Sequence, residues 1–272
     1  MQAAANVGEA ARAIPGSANV VEVFSSVQGE GPHVGETTLF VRLGGCDLRC
    51  AWCDSPQTWR PGEIARFETE RGTGRFREAR NPVALGELVA AAEALDLAAH
   101  RFVSLTGGEP LLQPDAVGAL AGALGGRGPR IHLETHGLAT AALAQVVERI
   151  DVVSMDWKLG SDVRREGRST RDPEETFHAA HAEFLAVARR APEVVVKVVV
   201  TPASRDEELD AMAARLAEHR EPPLLVVQPV TPCGTVREAP PAERLLALVA
   251  RLSAQLPRVR LIPQTHKQIG VL

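Results

Sequence analysis

From Val20 onward, short apolar runs alternate with amphipathic stretches. Val20–Phe24 and Thr37–Leu43 have the β-branched and aromatic content of strands. Leu85, Leu88, Val89, Ala92 and Leu95 recur at helical spacing, and Asn81-Pro82 before them reads as an N-cap and first-turn pair. The alternation then becomes regular. Strands are expected at Arg101–Leu105, Ile131–Leu133, Asp151–Met155, Val194–Val200, Leu224–Val227 and Val259–Ile262. Between them come helices near 114–124, through Leu143, Val146, Val147 and Ile150, through Phe177, Phe184 and Leu185, and near 241–255. One more is opened by Ser204-Arg205-Asp206-Glu207, a capping-box sequence. Strands alternating with helices imply a parallel sheet. The polar segments Thr106-Gly107-Gly108-Glu109-Pro110, Glu134-Thr135-His136-Gly137, Asp156-Trp157-Lys158 and Gln228-Pro229-Val230-Thr231 each follow a predicted strand, at the edge where parallel barrels gather their chemistry. The pattern predicts an α/β fold, an incomplete β/α barrel of about six parallel strands. A doubly wound sheet shares the alternation, but no G-x-G-x-x-G follows the first strand.

Residues 1–19 are Ala- and Gly-rich without a sustained period, and a mobile or loosely attached arm is expected there. Residues 20–272 read as one domain. Within it, residues 60–80 are charge-rich and carry Gly72 and Gly74, the pattern of a variable insertion or of a lid. The chain has 272 residues, 45% hydrophobic and 24% charged, with a net charge of −4. That balance is ordinary for a globular protein and gives no basic footprint for nucleic acid. No apolar stretch reaches the ~20 residues that span a bilayer. The N-terminus has no basic segment followed by an apolar one, so the cytoplasm is the expected compartment.

Three of the four cysteines fall within eight residues, Cys46-Asp47-Leu48-Arg49-Cys50-Ala51-Trp52-Cys53. Closely spaced thiols in a reducing compartment bind soft metals more often than they pair. Structural zinc wants four closed ligands, yet no His falls within a dozen residues of Cys53 and the fourth cysteine, Cys233, lies 180 residues on. Three thiolates suit a 4Fe–4S cluster with one iron open to a small molecule. Cys233, after Pro232, reads as structural or incidental. Arg42, in an apolar strand, must meet water, a partner charge or an anionic ligand. Ser55 by itself reads as a turn cap.

C-x3-C-x2-C after a strand is the signature of radical S-adenosylmethionine enzymes. The flanks, Phe24-Ser25-Ser26-Val27-Gln28-Gly29-Glu30-Gly31 before the cysteines and Cys53-Asp54-Ser55 at their end, resemble those of the 7-carboxy-7-deazaguanine synthase family of queuosine biosynthesis. Matching pieces recur from residue 24 to residue 267. The resemblance implies contraction of 6-carboxy-5,6,7,8-tetrahydropterin to 7-carboxy-7-deazaguanine with loss of ammonia. It implies a 4Fe–4S cluster on Cys46, Cys50 and Cys53, with S-adenosylmethionine on the fourth iron, and Mg²⁺ on the hydroxyl of Ser55. S-adenosylmethionine is expected against Trp52, Cys53, Asp54, Gly107, Gly108, Glu109, Glu134, Ser154, Lys158, Gln228, Pro229, Val230 and Thr231. In that role Glu109 would accept from the methionine ammonium. The pterin is expected against Val27, Gln28, Gly29, Glu30, Arg42, Thr106, Gln264, His266 and Leu272. A flavodoxin or ferredoxin as electron donor and a homodimer are implied as well. The chain departs from the family at His136, where Asn is frequent, at Ser154-Met155-Asp156-Trp157-Lys158, where a compact Ser-Pro-Lys is common, and at Val271-Leu272, where Pro often ends the chain. A glycyl-radical activase would share the cluster but has no use for Gln28-Gly29-Glu30 or a metal-binding Ser55. A non-catalytic iron–sulfur electron carrier would want four protein ligands and no Gly-Gly-Glu-Pro.

Overall fold

A computed structural model describes residues 14–169 and 176–271. Most of the expected arm, and Leu272, lie outside the described residues. Strands run in the order β1 (Ser17–Ala18), β2 (Val20–Val27), β3 (Thr37–Leu43), β4 (Leu48–Cys50), β5 (Ile64–Glu68), β6 (Phe76–Arg80) and β7 (Val83–Ala84). Helix α1 (Leu85–Ala94) leads to β8 (Phe102–Gly107), α2 (Pro114–Leu124), β9 (Arg130–Thr135), α3 (Thr140–Val146) and β10 (Val152–Asp156). The chain continues through β11 (Val163–Arg165), α4 (His178–Ala188), β12 (Glu193–Val200), α5 (Asp206–Ala217) and β13 (Leu224–Pro229). It closes with α6 (Ala242–Ser253), β14 (Val259–Leu261) and α7 (Thr265–Ile269).

The main sheet has ten strands, ordered β14-β13-β12-β10-β9-β8-β3-β2-β5-β6. From β3 to β14 every neighbour is parallel, so the parallel part has seven strands rather than about six. The edge strands β14 and β6 do not pair with each other, and the barrel stays incomplete. Val-rich strands such as β12 and β13 are buried because helices cover the sheet, as parallel sheets require. One large apolar cluster joins Leu39, Val103, Leu133, Val153, Val196 and Leu225 of successive strands to Leu88, Val117, Leu143, Phe184 and Leu209 of successive helices.

Four local expectations change. Helix α1 begins at Leu85, and Asn81 caps nothing. Its side chain instead ties β2 to the 60–63 segment, accepting from Val20 N and donating to Val20 O and Gly62 O. Ser204 is not a helix cap: its hydroxyl donates to Asp162 Oδ2 and accepts from Thr201 N, and α5 starts two residues later. Residues 64–80 form the β5–β6 hairpin at the sheet edge, and no residue of 60–80 lines the cavity described below. Residues 14–19 are anchored, with Ser17–Ala18 paired to Val83–Ala84 and the Asn19 backbone held by Gln113.

Candidate active site

The ends of β3, β8, β9 and β10 line a cavity of about 360 Å³. The cysteine segment enters it after β3 and runs through β4 to Cys53, and its backbone is clamped from several sides. Gly45 N donates to Thr58 O and Cys46 N to Trp59 O, while β4 pairs antiparallel with β11. From behind, Thr235 N and the Cys233 thiol donate to Ala51 O and Trp52 O, so Cys233 has a buttressing contact. Gly107 sits at φ +138°, and a Cβ there would meet Leu43 O at 2.0 Å. Only glycine lets the end of β8 lie this close to the root of the cysteine loop.

Cys46, Cys50 and Cys53 all face the cavity. Burial pushes the Cys46 thiol up to about 11 and the Cys50 thiol up to about 12. Both are therefore protonated at neutral pH until a metal replaces the proton. Trp59 Nε1 donates to Cys53 Sγ at 3.2 Å, and Arg49 stacks on the Trp59 ring at 4.6 Å. Three soft thiols on one loop, facing an enclosed space, fit a cluster with three protein-held irons.

Most of the expected ligand residues converge on the same space. Val27, Gln28, Gly29, Glu30, Arg42, Thr106, Gln264 and His266 line it, as do Trp52, Asp54, Ser55, Gly107, Gly108, Glu134, Ser154 and Lys158. Gln28 donates to Glu134 Oε1 at 2.9 Å, and its own Oε1 accepts from the amides of Gly29 and Glu30. Gln28 thus braces the backbone of the 28–30 turn from within. A Cβ on Gly29 would lie 2.0 Å from His266, which is how closely α7 packs on that turn. Arg42 faces the cavity but is also paired, with Nε 2.9 Å from Glu22 Oε1 and its guanidinium over Phe24. Lys158 lies 2.8 Å from Asp156 Oδ2 and 4.5 Å from the centre of the Trp52 ring. Burial opposes its charge, yet Asp156 raises its pKa above the ordinary lysine value. His136 bonds Asp47 Oδ1 through Nε2 at 2.9 Å, and that bond holds the Asp47 carboxyl below its usual range. The Ser55 hydroxyl does not cap the turn it precedes.

Two groups of expected residues stand outside the cavity wall. Glu109 does not face the cavity and is fully buried. Its Oε1 accepts from Leu111 N and Thr135 Oγ1, and its Oε2 from His136 N at 2.7 Å, so it joins the loops after β8 and β9. Gln228, Pro229, Val230 and Thr231 end β13, beyond β12, and none of them lines the cavity. Other residues in the wall were not foreseen. Lys197 of β12 and Asp156 of β10 are register neighbours, and Lys197 also pairs with Glu30. The signal was a single Lys inside a Val-rich strand, a charge that must find an acid. Asp156 Oδ1 and Trp52 Nε1 are buried without a partner among the described residues, and both belong to the cavity wall. Buried polar atoms in native proteins are normally satisfied, so these two point to a bound ligand.

Three thiols on a loop at the C-terminal edge of a parallel sheet define a class, and residues 40–217 match the family model of the radical SAM superfamily. The chain is a radical SAM enzyme, which brings a 4Fe–4S cluster and S-adenosylmethionine. It is 36% identical over 260 residues to a 7-carboxy-7-deazaguanine synthase of Geobacter sulfurreducens, covering 94% of this chain and 98% of that one. A synthase of the same name from Methanopyrus kandleri is 37% identical over 275 residues, covering 97% and 98%. The chain belongs to the 7-carboxy-7-deazaguanine synthase family. The crystal structure of QueE from Escherichia coli shares the fold, with a TM-score of 0.58 at 22% identity over 92% of this chain and 95% of that one. Among the described residues, no helix is long and apolar enough to cross a membrane.

Proposed function

We propose that the chain is the lyase that contracts 6-carboxy-5,6,7,8-tetrahydropterin to 7-carboxy-7-deazaguanine with loss of ammonia, in 7-deazapurine biosynthesis. One observation carries this reading: the three cluster thiols share a cavity with Gln28-Gly29-Glu30, Arg42, Ser55, Gln264 and His266. An electron carrier needs no such wall, and an activase has no use for that particular set. When bound, the reduced cluster with S-adenosylmethionine supplies a 5′-deoxyadenosyl radical. The chain's own residues position, orient and shield. Cys46, Cys50 and Cys53 hold the cluster. Gly107 and Gly108, with Trp52, Asp54, Glu134, Ser154 and Lys158, form the S-adenosylmethionine side. The turn Val27–Glu30, with Arg42, Thr106, Gln264 and His266, forms the pterin side, and Arg42 offers a planar fork to a carboxylate or ring acceptors. Ser55 offers a hard hydroxyl oxygen to Mg²⁺, with substrate and water completing its shell. The active form in this reading is a cytoplasmic homodimer reduced by a flavodoxin or ferredoxin.

The test is anaerobic turnover by the iron-reconstituted protein with dithionite, S-adenosylmethionine, Mg²⁺ and the carboxypterin. Formation of 7-carboxy-7-deazaguanine and ammonia, with S-adenosylmethionine regenerated, is expected. Cleavage of S-adenosylmethionine without deazaguanine product, under any reductant, refutes the reading.

A further inference from the structure

Lys197 stands in the middle of β12, where the neighbouring positions are Val. An ammonium placed there loses most of its hydration, so it must be matched by acids. Asp156 is its register neighbour on β10, with Oδ2 3.5 Å from Nζ. The second acid is Glu30, which reaches in from the 28–30 turn and bonds Lys197 directly. The other Glu30 oxygen accepts from Gln264 Nε2 at 2.7 Å, at the N-terminus of α7. Glu134 and His266 also face this group of charges, and Lys158 shares Asp156 with Lys197.

Helix α7 has no buried residue of its own. Polar contacts hold it to the site: Thr265 N donates to Gly29 O at 2.9 Å, Gln264 donates to Glu30, and Lys267 lies 3.2 Å from Asp54 Oδ2. Two of these three run to the 28–30 turn. We infer that Lys197 is a positioning residue for the pterin side of the site: by fixing Glu30 it sets both the 28–30 turn and, through Gln264, the C-terminal helix. Lys197 keeps its charge in this setting. Burial alone would lower its pKa, but Asp156 and Glu30 raise it well above the ordinary lysine value, and Lys197 holds Glu30 ionised, with a pKa of about 2.

The inference rests on the proposed pterin-binding role of the turn, and the experiment separates the two. Four holoenzymes are compared with wild type: Lys197→Met, Lys197→Arg, Glu30→Gln and the double variant Lys197→Met/Glu30→Gln. Lys197→Met leaves the half-buried Glu30 without its cation and should raise KM for the carboxypterin at least tenfold, with the dissociation constant of S-adenosylmethionine changed less than twofold. Lys197→Arg keeps the charge and should recover most of that loss. Adding Glu30→Gln to Lys197→Met removes the uncompensated carboxylate, so the double variant should match Glu30→Gln alone. Losses that multiply, or equal weakening of both ligands, overturn the inference. A second readout needs no turnover. Hydrogen exchange at the Thr265 amide, measured without substrate, should accelerate at least tenfold in Lys197→Met and return toward the Glu30→Gln rate in the double variant. Unchanged exchange overturns the inference even where turnover succeeds. Wild type that exchanges as expected but makes no deazaguanine refutes only the functional reading. Should Lys197→Met fold poorly, the double variant should recover melting temperature, and an additive loss overturns the inference.

Discussion

Replacing Glu109 by Gln tests whether that side chain serves the fold or the ligand. Its carboxylate accepts from Leu111 N at 3.0 Å, Thr135 Oγ1 at 2.8 Å and His136 N at 2.7 Å, in full burial. An amide has one acceptor oxygen, so either orientation presents an NH₂ to a backbone N–H, and the Thr135 hydroxyl can turn to relieve only one contact. Losing a charge-assisted bond costs about 1.5–3 kcal/mol, and leaving its buried partner unsatisfied costs about 1–3 kcal/mol more. A net loss of about 3 kcal/mol is expected. At about 2–4 °C per kcal/mol for a chain near this size, the melting temperature should fall by about 6–12 °C. The assay is thermal melting under anaerobic conditions, with S-adenosylmethionine affinity measured by equilibrium dialysis well below the melt. The reasoning predicts a large melting shift and an affinity change of only a few-fold. A melting temperature within about 2 °C of wild type, with a tenfold loss of affinity, would refute it and restore Glu109 to the ammonium of the ligand.

Alanine at Cys46, Cys50 or Cys53 should abolish the 4Fe–4S absorbance and Cys233→Ala should keep it; an intact cluster in Cys50→Ala sinks the assignment. Arg42→Ala should weaken carboxypterin binding about ten- to hundredfold, from one lost charge-assisted bond, and leave S-adenosylmethionine nearly untouched. Glu22 keeps Arg66 as a partner in that variant, so the melting temperature should move little. Turnover should rise with added Mg²⁺ in wild type and Ser55→Thr but stay flat and low in Ser55→Ala; superimposed wild-type and Ala curves would remove Ser55 from the metal. Burial lowers the pKa of His132 to about 4 and that of His181 to about 3, from 6.5. The unfolded chain takes up these protons first as pH falls below about 6.5, so stability is full above that pH. Below it, each histidine should cost up to about 1.4 kcal/mol per pH unit, until about pH 4 for His132 and about pH 3 for His181. Urea midpoints that agree at pH 7.5 and pH 5.5 would contradict this.

The strand–helix alternation was legible because burial imposes periods of 2 and 3.6 on the chain. It placed the Cys loop, the Gly-Gly-Glu-Pro turn and Asp156-Trp157-Lys158 on one edge of the sheet. What escaped was the choice of partner for each buried polar group, which depends on distant segments. Ser204 and Glu207 have the spacing of a capping box, yet Asp162, 42 residues away, takes the Ser204 hydroxyl. Asn81 precedes a Pro as a cap would, but the backbone of β2 claims its side chain. Glu109 stands where a ligand acceptor is expected, while two neighbouring loops use up its oxygens. The β5–β6 hairpin was missed because Arg and Glu alternate with few apolar residues in 76–80, as suits an edge strand.

That hairpin has a practical consequence. Its tip, residues 69–75, holds Gly72 and Gly74 with open space around both, at the sheet edge and outside the cavity wall. Maleimide dyes are a poor choice for this enzyme, because the thiols they attack are the ones proposed to carry iron. A short peptide tag for enzymatic labelling, spliced between Gly72 and Gly74, would extend an exposed turn whose closure cost grows only with the logarithm of its length. Fluorophores or a surface tether could then be attached without exposing the cysteines to alkylation.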